Sequence, residues 1–282
     1  IAQFVEPDLS LWQRLNEQIR YTTRKLKIAL VGKYVSLQDA YYSVLEAIDH
    51  ASIENGALPE IIWVDSDPLE EVSEEKLNEI FADIDAMIIP GGFGPRGMEG
   101  MIRSAEYARA NKLPFLGIGL GMQMGVVEIA RNLAGIKDAH TDEFEKPCSD
   151  IFYYAGLNNT QAATLSEIPL PDQPMRLGAY PMQIKENSKL HQIYRSTEAS
   201  ERHHHRREFN LAWQGPLLQT GLVFSATSPD GKWIEAVELP DHPFYIGMIS
   251  HPEFKSRPIK PHPLYNAFIE AALKYKKSKP SE

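Results

Sequence analysis

Short, wholly apolar runs alternate along the chain with stretches in which apolar residues recur three and four positions apart. The runs are Ile28-Ala29-Leu30-Val31, Ile61-Ile62-Trp63-Val64, Ala86-Met87-Ile88-Ile89 and Phe115-Leu116-Gly117-Ile118. Helical spacing fills the intervening segments near 38–54, 70–82 and 98–111. Strands apolar on both faces, separated by helices, predict an α/β fold: a doubly wound, mostly parallel central sheet flanked by helices. Such sheets bind ligands at the carboxyl ends of their strands. That singles out three turns: Val31-Gly32-Lys33-Tyr34, Pro90-Gly91-Gly92-Phe93-Gly94 and Gly117 to Gly121.

Ahead of this pattern, Asp8-Leu9-Ser10 can cap a helix striped with Leu11, Trp12, Leu15 and Ile19, and the basic run Arg20 to Lys27 suits its end. Residues 1–26 are therefore read as a linker helix, cut from something upstream, and residues 27–282 as the domain proper. The stretch from about 145 to 175, with Pro147, Pro169, Pro171, Pro174 and Asn158-Asn159-Thr160-Gln161, is expected to be a long loop. Strands are expected at Met175–Ile184, Glu208–Trp213, Leu222–Thr227, Ile234–Leu239 and Phe244–Ser250. A closing amphipathic helix is expected over 263–277, burying Leu264, Phe268, Ala271, Ala272 and Tyr275. No internal repeat is visible.

Composition narrows the function. A net charge of −9 over 282 residues argues against a general nucleic-acid surface, which needs clustered Lys and Arg. No apolar run approaches a membrane span, and the N-terminus lacks a basic segment followed by an apolar one, so a cytoplasmic protein with no membrane partner is expected. The single cysteine, Cys148, excludes an intrachain disulfide and a cysteine-based metal cluster. His203-His204-His205 is a weak metal candidate, because on a strand only His203 and His205 share a face. No metal is expected.

Gly117-Ile118-Gly119-Leu120-Gly121 follows an apolar strand and opens a helix, the context of a nucleophile elbow, whose middle residue projects above the sheet. A plain glycine-rich turn or a phosphate loop is the alternative, although G-x-G-x-G falls short of G-x-G-x-x-G and no acidic ribose partner is evident. The Gly91-Gly92-Phe93-Gly94 loop can aim backbone N–H groups at a developing oxyanion, or be an ordinary tight turn. His251-Pro252-Glu253 offers an imidazole with a carboxylate to orient it, the general-base half of a nucleophilic triad. It could also be unremarkable surface chemistry. A zinc deaminase would need P-C-x-x-C downstream, which is absent.

Together the stretches PGGFGPRGMEGMIRSAEYAR, PFLGIGLGMQ, TDEF, MRLGA, ERHHHRREFN and HPEF…HPL resemble the class I glutamine amidotransferase domain of the CTP synthase family, from about Lys27 to Lys274. The resemblance implies a glutaminase that supplies ammonia through a tunnel to an amidoligase domain in the same chain. With ATP and Mg2+ that domain makes CTP from UTP, in pyrimidine nucleotide biosynthesis. It implies no cofactor in the present domain, L-glutamine as ligand, a homo-oligomeric full-length protein and a monomeric piece here. By the same resemblance His251 is the base, Glu253 its orienting carboxylate, and the N–H groups of Gly92 and Leu120 the oxyanion hole. Gln123, Glu143 and Arg206 would hold glutamine, beside Gly92, Leu120 and Phe93. Glu143 suits the α-ammonium and Arg206 the α-carboxylate.

Three positions depart from the pattern. His204 and Arg207 stand where the family more often has arginine and an aromatic residue, which implies local tuning. Gly119 stands where the family has its nucleophilic cysteine. Glycine closes the covalent route, and Cys148, far away in sequence, is read as an inert thiol. The glycine is expected to be engineered, a mis-transcribed modified cysteine, or the mark of a natural pseudoenzyme; retention of His251, Glu253 and Arg206 favours the first two. The alternative function is a non-catalytic glutamine-sensing or assembly module.

Overall fold

The computed structural model describes residues 7–144, 148–154 and 175–279. Helix α1 (Ser10–Tyr21) starts where the Asp8 carboxylate accepts from the Ser10 N–H at 2.9 Å, and Leu9 is its N-cap. Its stripe stays open to solvent: Leu11, Trp12 and Ile19 are each about half exposed. Arg14 ties it to the body through Glu54 at 2.6 Å. The basic run after it does not extend the helix. Arg24 instead donates to Asn55 O and Gly56 O, at 2.6 and 2.9 Å, satisfying carbonyls that close the next helix.

From there the alternation is as the apolar runs predict: β1 (Lys25–Gly32), α2 (Tyr42–Glu54), β2 (Leu58–Asp65), α3 (Glu74–Phe81), β3 (Ala86–Ile89), α4 (Met98–Ala110), β4 (Phe115–Ile118) and α5 (Leu120–Asn132). Next come β5 (Ala139–Thr141) and β6 (Ser149–Tyr154). The second half comprises β7 (Arg176–Ile184), α6 (Lys189–Tyr194), β8 (Glu198–His205), β9 (Arg207–Phe209), α7 (Gln214–Leu218), β10 (Val223–Thr227), β11 (Ile234–Glu238), β12 (Tyr245–Met248) and α8 (Pro263–Ser278).

Among the described residues the main sheet runs β2-β1-β3-β4-β12-β11-β10-β7-β8. The first five strands are mutually parallel, and the others extend the sheet antiparallel. Side chains of the parallel strands go alternately to two cores. Ala29, Val31, Met87 and Ile89 pack with α3, α4 and α5, whereas Ile28, Leu30, Ile88, Leu116 and Ile118 pack with α2 and α8. Each buried Val, Leu, Ile or Met among them contributes on the order of 1.5–3 kcal/mol on burial, which helps hold the frame that carries the strand ends.

The expected strand over 208–213 is shorter. It ends at Phe209 because Asn210 Oδ1 accepts from Ala212 N–H at 3.1 Å and turns the chain into a 3-10 segment, Leu211–Trp213. The expected loop over 145–175 contains β6, which pairs with β5 and β9. Its prolines and the Asn158–Gln161 run lie outside the described residues. Strand β8 is an addition to the expected strands. No helix among the described residues is long and apolar enough to cross a membrane.

Candidate active site

The turns after β1, β3, β4 and β12 meet at one end of the sheet, because register aligns their parallel strands: Ile89 with Gly117, and Ile118 with Met248. Gly119 N–H extends the ladder to Met248 O at 2.7 Å. The chain then reverses into α5 within one residue, with Gly119 at φ 55°, ψ −112°. Two flanking glycines make this possible. A Cβ on Gly121 would stand 1.9 Å from Ile89 O, and one on Gly117 would stand 2.7 Å from the Gly121 backbone. At Gly119 the space is different. An ideal Cβ would meet Gly91 Cα and His251 Nε2, each at 3.4 Å, and His251 Cε1 at 3.6 Å. Any side chain on residue 119 would therefore leave the turn beside the imidazole.

His251 is held from two sides. Its backbone N–H donates to Arg202 O at 2.7 Å, and its Nδ1 lies 2.7 Å from Glu253 Oε1 across a 3-10 turn, Pro252–Lys255. Both side chains are nearly buried. With the Nδ1 proton facing the carboxylate, Nε2 is left as the acceptor toward residue 119. The amide of Leu120 opens α5 ahead of its first intrahelical bond, from Gln123 N–H to Gly119 O at 3.2 Å, so the helix end presents N–H groups to the cleft.

All nine residues singled out from sequence line this one cleft of about 200 Å³: Gly92, Phe93, Gly119, Leu120, Gln123, Glu143, Arg206, His251 and Glu253. Gln123 is buried, and its Oε1 has no hydrogen-bond partner among the described residues, nor does the Nε of Arg206. The Arg206 guanidinium lies 5.4 Å from the Phe93 ring centroid. His204 stands on the same rim, 5.4 Å from Phe93 between ring centroids, and its pKa is lowered by desolvation and by neighbouring His251 and Arg206. Glu143 accepts from Gly94 N–H at 3.1 Å and is ion-paired with Arg207 at 2.5 Å.

Two residues noticed in the sequence have contacts that the sequence does not reveal. Lys33, almost wholly buried, donates to Phe93 O at 3.3 Å and to Gly94 O, tethering the glycine loop to the end of β1. Burial brings its ammonium down to about 8. Arg207 is the other: its partners Asp142 and Glu143 lie on a distant stretch of sequence. The turn Val31–Tyr34 signalled the region of Lys33, but nothing local signals the Arg207 pairing.

The buried face of β8 is closed by charge. His203 Nε2 meets Glu235 at 2.6 Å and His205 Nε2 meets Glu208 at 2.9 Å, with Arg176 bridging the two carboxylates at 2.7 and 3.0 Å. These histidines are committed to hydrogen bonds with carboxylates within the protein, and no group of three or more side chains that could hold a metal ion occurs among the described residues. Cys148 donates to Asp150 Oδ1 at 3.1 Å, and burial with that carboxylate pushes its thiol up to about 12. It remains a thiol at neutral pH and offers no nucleophile.

The model of the class I glutamine amidotransferase family matches residues 36–271. CTP synthase of Thermus thermophilus is 45% identical over 284 residues, covering 96% of this chain and 48% of that protein. CTP synthase of Carboxydothermus hydrogenoformans is 45% identical over 272 residues, covering 96% and 49%. The chain thus spans about half the length of these curated relatives. Among solved structures, the glutaminase domain of Trypanosoma brucei CTPS with bound acivicin superposes with a TM-score of 0.80 at 35% identity, over 88% of this chain and 94% of that one. With its sheet order, its tight glycine turn and the His251–Glu253 pair facing that turn, the chain belongs to the class I glutamine amidotransferase family.

Proposed function

We propose that this chain is the glutamine-binding, ammonia-supplying half of a CTP synthase, and that Gly119 occupies the place of its nucleophile. One observation carries the reading: the Cβ direction of residue 119 points to within 3.4 Å of His251 Nε2, while Glu253 holds the other imidazole nitrogen at 2.7 Å. A thiol there would give its proton to Nε2 and attack the carboxamide carbon of glutamine. The oxyanion so formed would be met by the Gly92 and Leu120 amides. The C–N bond then breaks, His251 returns the proton to ammonia, and a γ-glutamyl thioester remains. Water, deprotonated by the same imidazole, hydrolyses it to glutamate.

In the chain as written, binding and oxyanion groups remain but no atom can attack, so glutamine is held without turnover. Relatives twice as long support a second half in the full protein, an amidoligase using ATP, Mg2+ and UTP. Gly119 also favours a second reading, in which the cleft senses glutamine and does not consume it. Ammonia release by the Gly119→Cys variant tests the first reading. Glutamine binding by both forms, with turnover in neither, would support the second.

A further inference from the structure

The Glu143 side of the cleft is already neutralised from within. Both carboxylate oxygens are engaged, Oε1 by Arg207 at 2.5 Å and Oε2 by the Gly94 N–H at 3.1 Å. Arg207 is itself fixed: its Nε bonds Asp142, whose second oxygen accepts from Tyr154 N–H at 2.6 Å, and it is only 8% exposed. Lys33, bonded to Gly94 O, is electrostatically coupled to the same carboxylate. Arg206, against Phe93, has no anionic partner among the described residues.

Arg206 is thus left for a ligand carboxylate, whereas an α-ammonium added beside Glu143 has to share an acceptor that a guanidinium already holds.

We infer that Arg207 is the built-in counter-ion of Glu143, so that the cleft selects ligands by a carboxylate and a terminal carboxamide and gains little from an α-ammonium. The ligand class is the ω-amido monocarboxylates, with 4-carbamoylbutanoate accepted alongside glutamine. This inference rests on the reading of the cleft as a glutamine site.

The test is calorimetric titration of the chain, with Gly119 in place, by L-glutamine and by 4-carbamoylbutanoate. The two dissociation constants should agree within about threefold, the scale of a weak, compensated ion pair. In Arg207→Met, which keeps the aliphatic bulk and frees Glu143, glutamine should be favoured by about tenfold or more, as for a hydrogen bond to a charged group. Arg207→Lys retains the charge and should stay near the parent ratio. Should Arg207→Met not fold, the parent and Arg207→Lys ratios decide. A parent chain that prefers glutamine tenfold overturns the inference while leaving the glutamine site intact. So does an Arg207→Met ratio equal to the parent's. Binding of neither ligand overturns the glutamine site and the inference together.

Discussion

Cysteine in place of Gly119 should change chemistry far more than packing. The added Cβ reaches Gly91 Cα and His251 Nε2 at 3.4 Å, which is van der Waals contact. The structural cost comes from the backbone: φ of 55° is a region that L side chains rarely adopt. That strain is worth about 1–2 kcal/mol, a fall in Tm of about 2–8 °C for a chain of this size. Against it stands the nucleophile, whose removal from comparable triads costs roughly 10⁵–10⁶ in kcat, about 7–8 kcal/mol of barrier. The chemical term wins by a wide margin. Ammonia release at saturating glutamine should therefore rise from background by several orders of magnitude, and intact mass should show a γ-glutamyl adduct in the acylated fraction. Gly119→Ala carries the same strain without the thiol and should stay inactive, separating geometry from chemistry. A Gly119→Cys variant that melts within about 8 °C of the parent and binds glutamine, yet yields neither ammonia nor adduct, would refute the reasoning.

Other substitutions test other parts of the frame. Gly121→Ala forces a Cβ to 1.9 Å from Ile89 O and should cost about 3 kcal/mol or more, or prevent folding; a Tm within about 2 °C of the parent would contradict that backbone contact. Glu99 links α4 to Arg131 at 2.7 Å and to His140 at 3.2 Å; burial opposes its charge, but these partners prevail and bring its pKa from 4.5 down to about 2. Its folded value lies below its unfolded one, so its stabilisation is present above pH 4.5 and is lost as pH falls toward 2. Glu99→Gln should therefore lower Tm at pH 7 and converge with the parent in acid, and a pH-independent difference would count against the linkage. Lys33→Met in a Gly119→Cys background releases the Phe93 and Gly94 carbonyls and should lower kcat by about tenfold to a hundredfold, more than it changes KM; steady-state kinetics that move KM alone would argue that Lys33 does not position the loop.

Where side-chain periodicity reports burial directly, the chain can be read from its sequence. The four apolar runs become β1 to β4, and the glycines around residue 119 mark the one place where β4 and α5 meet without room for a Cβ. His251 and Glu253 could be paired because they are two residues apart on one short turn. Strand β8 is harder to see because its inward face is polar. Glu201, His203 and His205 are buried against His262, Glu235 and Glu208, partners 61, 32 and 3 residues away. Alternation in such a strand is invisible until these buried hydrogen-bond partners are known. Arg207 is hidden for the same reason: its charge is matched by Asp142 and Glu143, 65 and 64 residues back. In α1 the apolar stripe is real, but periodicity alone does not say whether a partner covers it.

The geometry around residue 119 owes nothing to a side chain at that position. Its turn is fixed by Gly119 N–H on Met248 O, by Gln123 N–H on Gly119 O, and by the tight crossing of Gly121 over Ile89. His251 is oriented by Arg202 O and Glu253, again without reference to residue 119. Fold and nucleophile are therefore energetically separable. Every side chain at 119 bears the strain of a positive φ that glycine avoids, so the glycine form is expected to be the more stable protein and the cysteine form the more reactive one. Strain of this kind persists at active sites where the chemistry requires it. A Tm for Gly119→Cys equal to or above that of the parent would show that the elbow is not strained, and that the separation between the two forms is purely chemical.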